Sequence, residues 1–328
     1  MKEKLSPRLG RVGGQAVLEG VMMKSGDRTA LAVRREDGRI LRRADTFTSV
    51  RKKHRLLALP VVRGVVNFVE MMMLSYSTLM RSADMLGIDE AEEDSRFEAW
   101  LRKKLGGKFL GVLMGAASVL GVALAFVLFM FLPALVTSWI DGAVPGGIGW
   151  FRNLIEGVLK IAIFVAYIGL CSCTKDMRRM FGYHGAEHKS IACYEAELPL
   201  TPENAMKCTR FHPRCGTSFI FVILIFSILV NSLLTWDNLA LRVGGKLLLL
   251  PLVVGIGFEF IMYAGKHVNL LTKILSAPGL WMQRITTREP DESQLEVAIA
   301  ALKYAMPDEF PEETESAPEA ANDDAQNG

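Results

Sequence analysis

Residues 108–139 read KFLGVLMGAASVLGVALAFVLFMFLPALVTSW, with no charged side chain after Lys108. The run has neither the polar stripe of a surface helix nor the alternation of a half-buried strand. An α-helix needs about 20 apolar residues to cross roughly 30 Å of hydrocarbon, and this stretch exceeds that length. Three further runs reach it: NLIEGVLKIAIFVAYIGLCSC at 153–173, TSFIFVILIFSILVNSLLTW at 217–236 and KLLLLPLVVGIGFEFIMYAG at 246–265. The second carries Glu156 and Lys160 near its start, which weakens it. Half of the 328 residues are hydrophobic, concentrated in these runs. The expected fold class is an α-helical integral membrane protein with about four transmembrane helices.

The connections set the orientation, because cytoplasmic loops carry the excess of Lys and Arg. The segment IDGAVPGGIG between the first two runs has none, and DNLALRVGG between the last two has one. Residues 174–216 have seven, and residues 1–55 have fifteen against six acids. This places the N-terminus, the 174–216 loop and the C-terminus in the cytoplasm of a multi-pass membrane protein. MKEKLSPRLGRVGG has no apolar core after its basic start, so no cleavable signal peptide is expected.

The remaining segments divide by composition. Residues 1–55 form a basic, β-rich cytosolic element, with Asp37-Gly38 as a hairpin turn signal between β-prone runs. Residues 56–107 hold an apolar helix and a charged helical linker. In the helix, Arg63, Asn67 and Glu70 recur at i, i+4 and i+7, one polar stripe on an apolar cylinder. That pattern fits an interfacial or re-entrant helix, the alternative being a helix packed on the cytosolic element. Residues 266–306 form a cytosolic amphipathic segment in which Leu295, Ile299 and Leu302 share one face and Trp281 anchors at the interface. Residues 307–328 carry eight acids and no Lys or Arg, and read as a disordered acidic tail. The transmembrane pairs are then 108–173 and 217–265, with the 174–216 loop between them.

That loop carries YHGAEHKSIACYE at 183–195 and RFHPRCGTSF at 210–219. His184 and His188 are four apart, so on a helix they share a face and can meet one ion. Glu187 beside them has the chemistry of a general base toward an activated water. The HxxEH order is shared with inverzincin metalloproteases, whose further ligand comes from downstream. Here His212, Cys215 or Glu259 could supply it, and Glu259 inside the fourth run is the other unusual residue, as ligand, proton carrier or the partner of a nearby cation. Glu19, in GGQAVLEGVMM, is a weaker candidate with Gln15; the plainer reading is a tight turn into a buried strand. The five cysteines are odd in number and contain no CxxC pair, which excludes a four-cysteine zinc module and a disulfide framework.

Taken together, GGQAVLEGVMM, YHGAEHK, RFHPRCGTSF and ITTREPDESQLEVAIAAL resemble the YqhQ-like bacterial membrane proteins, a domain-of-unknown-function family sometimes labelled a predicted metal-dependent enzyme. The resemblance spans roughly residues 8–304. It implies a multi-pass inner-membrane protein, and its motif residues fall on His184, Glu187, His188, His212 and Cys215.

The leading functional expectation is a membrane-embedded, zinc-dependent hydrolase with its site at the cytosolic membrane face. His184, His188 and Cys215 or His212 would bind zinc and Glu187 would act as base, on a lipid or membrane-peptide substrate. A second class is a non-enzymatic assembly or regulatory factor with a structural metal or none, working through protein partners. A third is a transporter using Glu259. The lipid bilayer is a partner in every case, and no specific nucleic acid is expected, since no RNA-binding motif accompanies the basic N-terminal region.

Overall fold

The computed structural model describes residues 6–87, 109–149, 151–232, 238–264 and 269–312. Most of the charged linker and the acidic tail from residue 313 lie outside them. The N-terminal sequence folds as four strands, β1 (Val12–Val17), β2 (Gly20–Ser25), β3 (Arg28–Arg34) and β4 (Ile40–Thr46), in one antiparallel sheet of order β1-β2-β3-β4. Gly38 takes φ +84° in the β3–β4 turn, as the Asp-Gly signal predicts.

Strand periodicity decides how the sheet is covered. Val21, Met23, Ala30 and Ala32 point to one face, while Met22, Leu31 and Val33 point to the other. Both sets are almost fully buried. The second face is covered by α1 (Val62–Leu86) through Leu74, Met71 and Met85. The stripe of Arg63, Asn67 and Glu70 turns inward: Ser49 Oγ and the Val50 N–H donate to Glu70, and Arg51 donates to Asn67. Beyond that stripe, Val69, Met72 and Met73 are exposed.

Two long helices follow in sequence, α2 (Phe109–Phe126) and α3 (Leu132–Ala143), joined by one π-helical turn at Val127–Phe131. Pro133 has no N–H for the carbonyl of Phe129, inside that turn, so the regular hydrogen-bond ladder cannot continue there. After them come α4 (Phe151–Cys171), α5 (Lys175–Glu195), the short α6 (Pro202–Lys207), α7 (Gly216–Ser232), α8 (Leu239–Ala264), α9 (Leu270–Thr286) and α10 (Glu292–Tyr304). The 174–216 connection is therefore largely helical. On the first face of the sheet, α5 and α10 close the core with Tyr183, Ala186, Ile191, Tyr194, Leu295, Ala298 and Leu302.

The chain divides into two compact units. One comprises Met1–Ile88, Ile168–Val222 and Val254–Gly328, and holds the sheet with its helices. The other comprises Asp89–Tyr167 and Ile223–Val253 and is helical. Within it, Phe129 meets Phe164 and Tyr167 edge-on at 5.9 and 6.1 Å between ring centroids. Among the described residues, three helical stretches are long and apolar enough to cross a membrane: Gly115–Ala143, Phe151–Cys171 and Val243–Ala264. The third expected span appears as the shorter apolar helix Gly216–Ser232, beyond which residues 233–237 lie outside the described ones.

The charges that weaken the 153–173 run have a common explanation in the helical unit. Glu156 is buried and lies 3.3 Å from Lys160 Nζ and 2.5 Å from Lys246 Nζ. One carboxylate thus serves two buried ammonium groups, which offsets the cost of desolvating all three. Replacing Glu156 by Leu removes that shared carboxylate. We expect a loss of roughly 3–5 kcal/mol, the scale for breaking a buried pair from one side, read as earlier thermal unfolding in detergent. Unchanged unfolding would show that the two lysines do not depend on it.

Candidate metal centre

α5 starts on Thr174, whose hydroxyl accepts from the Met177 N–H at 3.4 Å, with Asp176 in the first turn. Its glycines set how close the next segment can come. A Cβ on Gly182 would lie 2.5 Å from Gln294 Oε1, and one on Gly185 would fall on the Arg288 carbonyl oxygen. The 286–294 segment consequently lies directly against the turn of α5 that carries His184. One turn on is His188, and the two imidazole centroids are 4.5 Å apart.

Two backbone carbonyls orient these rings. His184 Nδ1 lies 2.8 Å from the carbonyl oxygen of Thr286, and His188 Nδ1 lies 2.6 Å from that of Arg210. A carbonyl only accepts, so each Nδ1 carries a proton, and in the neutral ring each Nε2 keeps its lone pair. Both Nε2 atoms then face the same space. Cys215 Sγ is 3.3 Å from His184 Nε2, and the ligand atoms of His184, His188 and Cys215 all lie within 4.8 Å of one another. Two imidazoles in the neutral form and a thiol, with the outer nitrogens held by the Thr286 and Arg210 carbonyls, can hold a metal ion.

The carbonyls are themselves held. Arg210 donates from Nη1 to the Thr287 carbonyl at 2.6 Å and to Thr287 Oγ1 at 2.9 Å. Gln283 is fully buried; it accepts from the His212 N–H at 2.8 Å and donates back to the His212 carbonyl at 2.8 Å and to Ser218 Oγ at 2.9 Å. This pins the turn His212–Cys215 to α9. Gln283, Arg210 and Thr286 were not recognised as site residues in the sequence, because they act through main-chain atoms or from a distant helix. Only the polar run ITTREPD hinted at the segment.

Glu187 is 4 % exposed, with Oε2 3.6 Å from His188 Nε2 and 3.9 Å from His184 Nε2. Burial pushes its carboxyl above the usual range, and the neighbouring His184 and His212 oppose that only in part. Strand β1 seals it: a Cβ on Gly14 would come within 2.9 Å of Glu187 Cγ and 2.8 Å of Met23 Sδ. Gly14 thus serves a close approach inside β1, and the tight turn into a buried strand falls at Glu19, just before β2.

Other expected residues separate from the trio. His212 Nε2 lies 3.2 Å from Arg214 Nη2 and 3.6 Å from Glu195 Oε2, so its free nitrogen is turned to that pair, and its ring centroid is 5.5 Å from that of His188. Glu259 is not brought to the cluster. Arg63 donates to it from Nε at 2.7 Å and Nη2 at 2.5 Å, and the Val61 N–H donates at 3.2 Å, so it fixes the start of α1. Its cationic partner is Arg63, far from it in the sequence. Glu19 sits in the β1–β2 turn with φ +48°, paired with Arg179 and accepting from the Tyr183 hydroxyl at 3.3 Å. Gln15 bonds Ser75 and Thr78 of α1. Of the other cysteines, Cys193 is a buried thiol pushed up to about 12 by its burial, beside Cys208 and outside the trio.

Two outcomes follow from this geometry. In metal-stripped protein the Glu187 carboxyl binds its proton more tightly folded than unfolded. Stability should therefore fall as pH rises above the ordinary glutamate range toward the raised value. Glu187→Gln should flatten that slope in urea unfolding at several pH values; an identical slope in both proteins would contradict it. Gly14→Ala should displace Glu187 and lower metal occupancy without removing a ligand, measured as metal per protein after equilibration.

Residues 59–308 match the family model described as "Protein of unknown function (DUF1385)". "Uncharacterized protein YqhQ" of Bacillus subtilis (strain 168) is 34 % identical over 310 residues, covering 93 % of this chain and 94 % of that protein. No solved structure matches the chain. A family match over most of the sequence and a relative aligned almost end to end agree: the chain belongs to the DUF1385 family, as a relative of YqhQ.

Proposed function

We propose that this protein is a membrane-embedded metal-dependent hydrolase whose ion, zinc by donor type, is held by His184, His188 and Cys215. The observation that carries the reading is the count of donors. Three protein ligands converge, while Glu187 stands beside them and His212 is engaged elsewhere. Structural zinc sites are closed by four protein ligands, whereas catalytic ones keep a position open. When bound there, zinc supplies a Lewis acid and makes a coordinated water more acidic.

The chain's own groups supply the rest. The Thr286 and Arg210 carbonyls keep both imidazoles in the ligating tautomer. Glu187 Oε2 takes and returns a proton beside the ligands, and its raised carboxyl moves its affinity for that proton toward neutrality. β1, through Gly14, keeps water from the carboxylate's far side.

The reading places the site at the cytosolic face of a plasma membrane crossed by α2–α3, α4, α7 and α8. Support comes from the apolar length of these helices, from Cys215 standing directly before α7, and from the basic charge of the 1–55 and 174–216 segments. α1 is read as interfacial, because its polar stripe is satisfied by protein while its apolar side is exposed. Substrates consistent with that position are lipids or membrane peptides.

Cobalt substitution tests the reading. The full-length protein in detergent should take up one cobalt ion with thiolate charge-transfer absorption, absent in Cys215→Ser. An added small anion such as azide should shift that spectrum if a position is open, and Glu187→Gln should keep the metal. No uptake would sink the proposal. A spectrum unmoved by azide would replace catalysis with a structural, four-ligand site in a non-enzymatic membrane factor.

A further inference from the structure

A polar cavity lies in the sheet-containing unit, and none of the candidate metal residues lines it. Its volume is about 290 Å³, and it opens between the β2–β3 turn, the 47–52 segment and α1. Lys24, Arg51 and Lys52 bring three cations to it, and Asp27 and Glu70 two anions.

The anions are already engaged. Asp27 pairs with Lys52 Nζ at 2.5 Å, and Glu70 accepts from Ser49 Oγ at 2.7 Å and the Val50 N–H at 2.7 Å. Arg51 gives Nη2 to Asn67 Oδ1 at 3.1 Å. Lys24 is different. Its ammonium has only a long contact with the Phe47 carbonyl, 3.4 Å, and lies 5.0 Å above the Phe47 ring. Among the described residues no carboxylate comes within ion-pair distance of it, and burial lowers its proton affinity. A half-buried ammonium in a cavity of net positive charge is a recognition element for an anion.

What adjoins the cavity selects the anion. Glu70 and Asn67 line it from α1, and Val69, Met72, Met73 and Tyr76 of the same helix form an arc of exposed apolar side chains. Met73 is three residues from Glu70, so the two are neighbours on the helix surface. Leu56 and Leu59, just before α1, are exposed as well. A ligand that satisfies both surfaces needs a compact phosphate next to long hydrocarbon.

We propose that this cavity binds the headgroup of an anionic phospholipid. Lys24 and Arg51 take the phosphodiester, and the acyl chains lie along Val69, Met72 and Met73. The site is independent of the metal centre and orients α1 on the lipid that it selects.

The test uses full-length protein in a nonionic detergent, with dioleoyl phosphatidylglycerol or dioleoyl phosphatidylcholine added and retention measured by native mass spectrometry. Phosphatidylglycerol should be retained in preference. Lys24→Gln should weaken it roughly tenfold, the scale for one hydrogen bond to a charged group, while Lys24→Arg keeps it and circular dichroism stays unchanged in both. Met73→Ser should weaken the lipid but not glycerol 3-phosphate. Equal retention of both lipids, or full binding by Lys24→Gln, overturns the proposal. Displacement of phosphatidylglycerol by an equal concentration of glycerol 3-phosphate also overturns it, in favour of a soluble phosphate ligand.

Discussion

Two main-chain carbonyls, those of Thr286 and Arg210, fix what the centre can do. An imidazole has two nitrogens and, when neutral, one proton to place. By accepting from Nδ1 of His184 and His188, these carbonyls put both protons on the outside of the cluster. The inner nitrogens, left with their lone pairs, face Cys215. Three nearby features hold those carbonyls in place: the side chain of Arg210 reaching Thr287, Gln283 gripping His212, and Gly185 letting the 288 backbone approach α5.

The sheet acts on the same centre through packing. Because both faces of β2 and β3 are covered, the sheet cannot shift toward solvent without exposing apolar side chains. β1 is held by β2, and Gly14 of β1 lies against Glu187. The carboxylate is thereby kept in a dry environment next to two imidazoles. A basic N-terminal segment with no candidate ligand of its own thereby packs against the candidate centre.

Charged residues within the apolar helices follow one rule in both units. Glu156 is shared by Lys160 and Lys246 in the helical unit, and Glu259 receives Arg63 and the Val61 N–H in the other. Each carboxylate is matched by a cation from another helix, and for the buried Glu156 desolvation requires it. Glu259, unusual by sequence alone, is accounted for by the start of α1.

The sequence by itself determined the helical class, the apolar runs, the Asp-Gly hairpin and the HxxEH face, because each depends on the period or chemistry of neighbouring residues. It also placed Cys215 among the candidate third ligands, without separating it from His212 and Glu259. That separation was decided only by tertiary structure. The direction in which His212 points depends on Arg214, Glu195 and Gln283, and the partner of Glu259 lies 196 residues away in the chain. Main-chain carbonyls have no sequence signature, so the locks on His184 and His188 could be seen only once α5, the 210 turn and α9 were brought together.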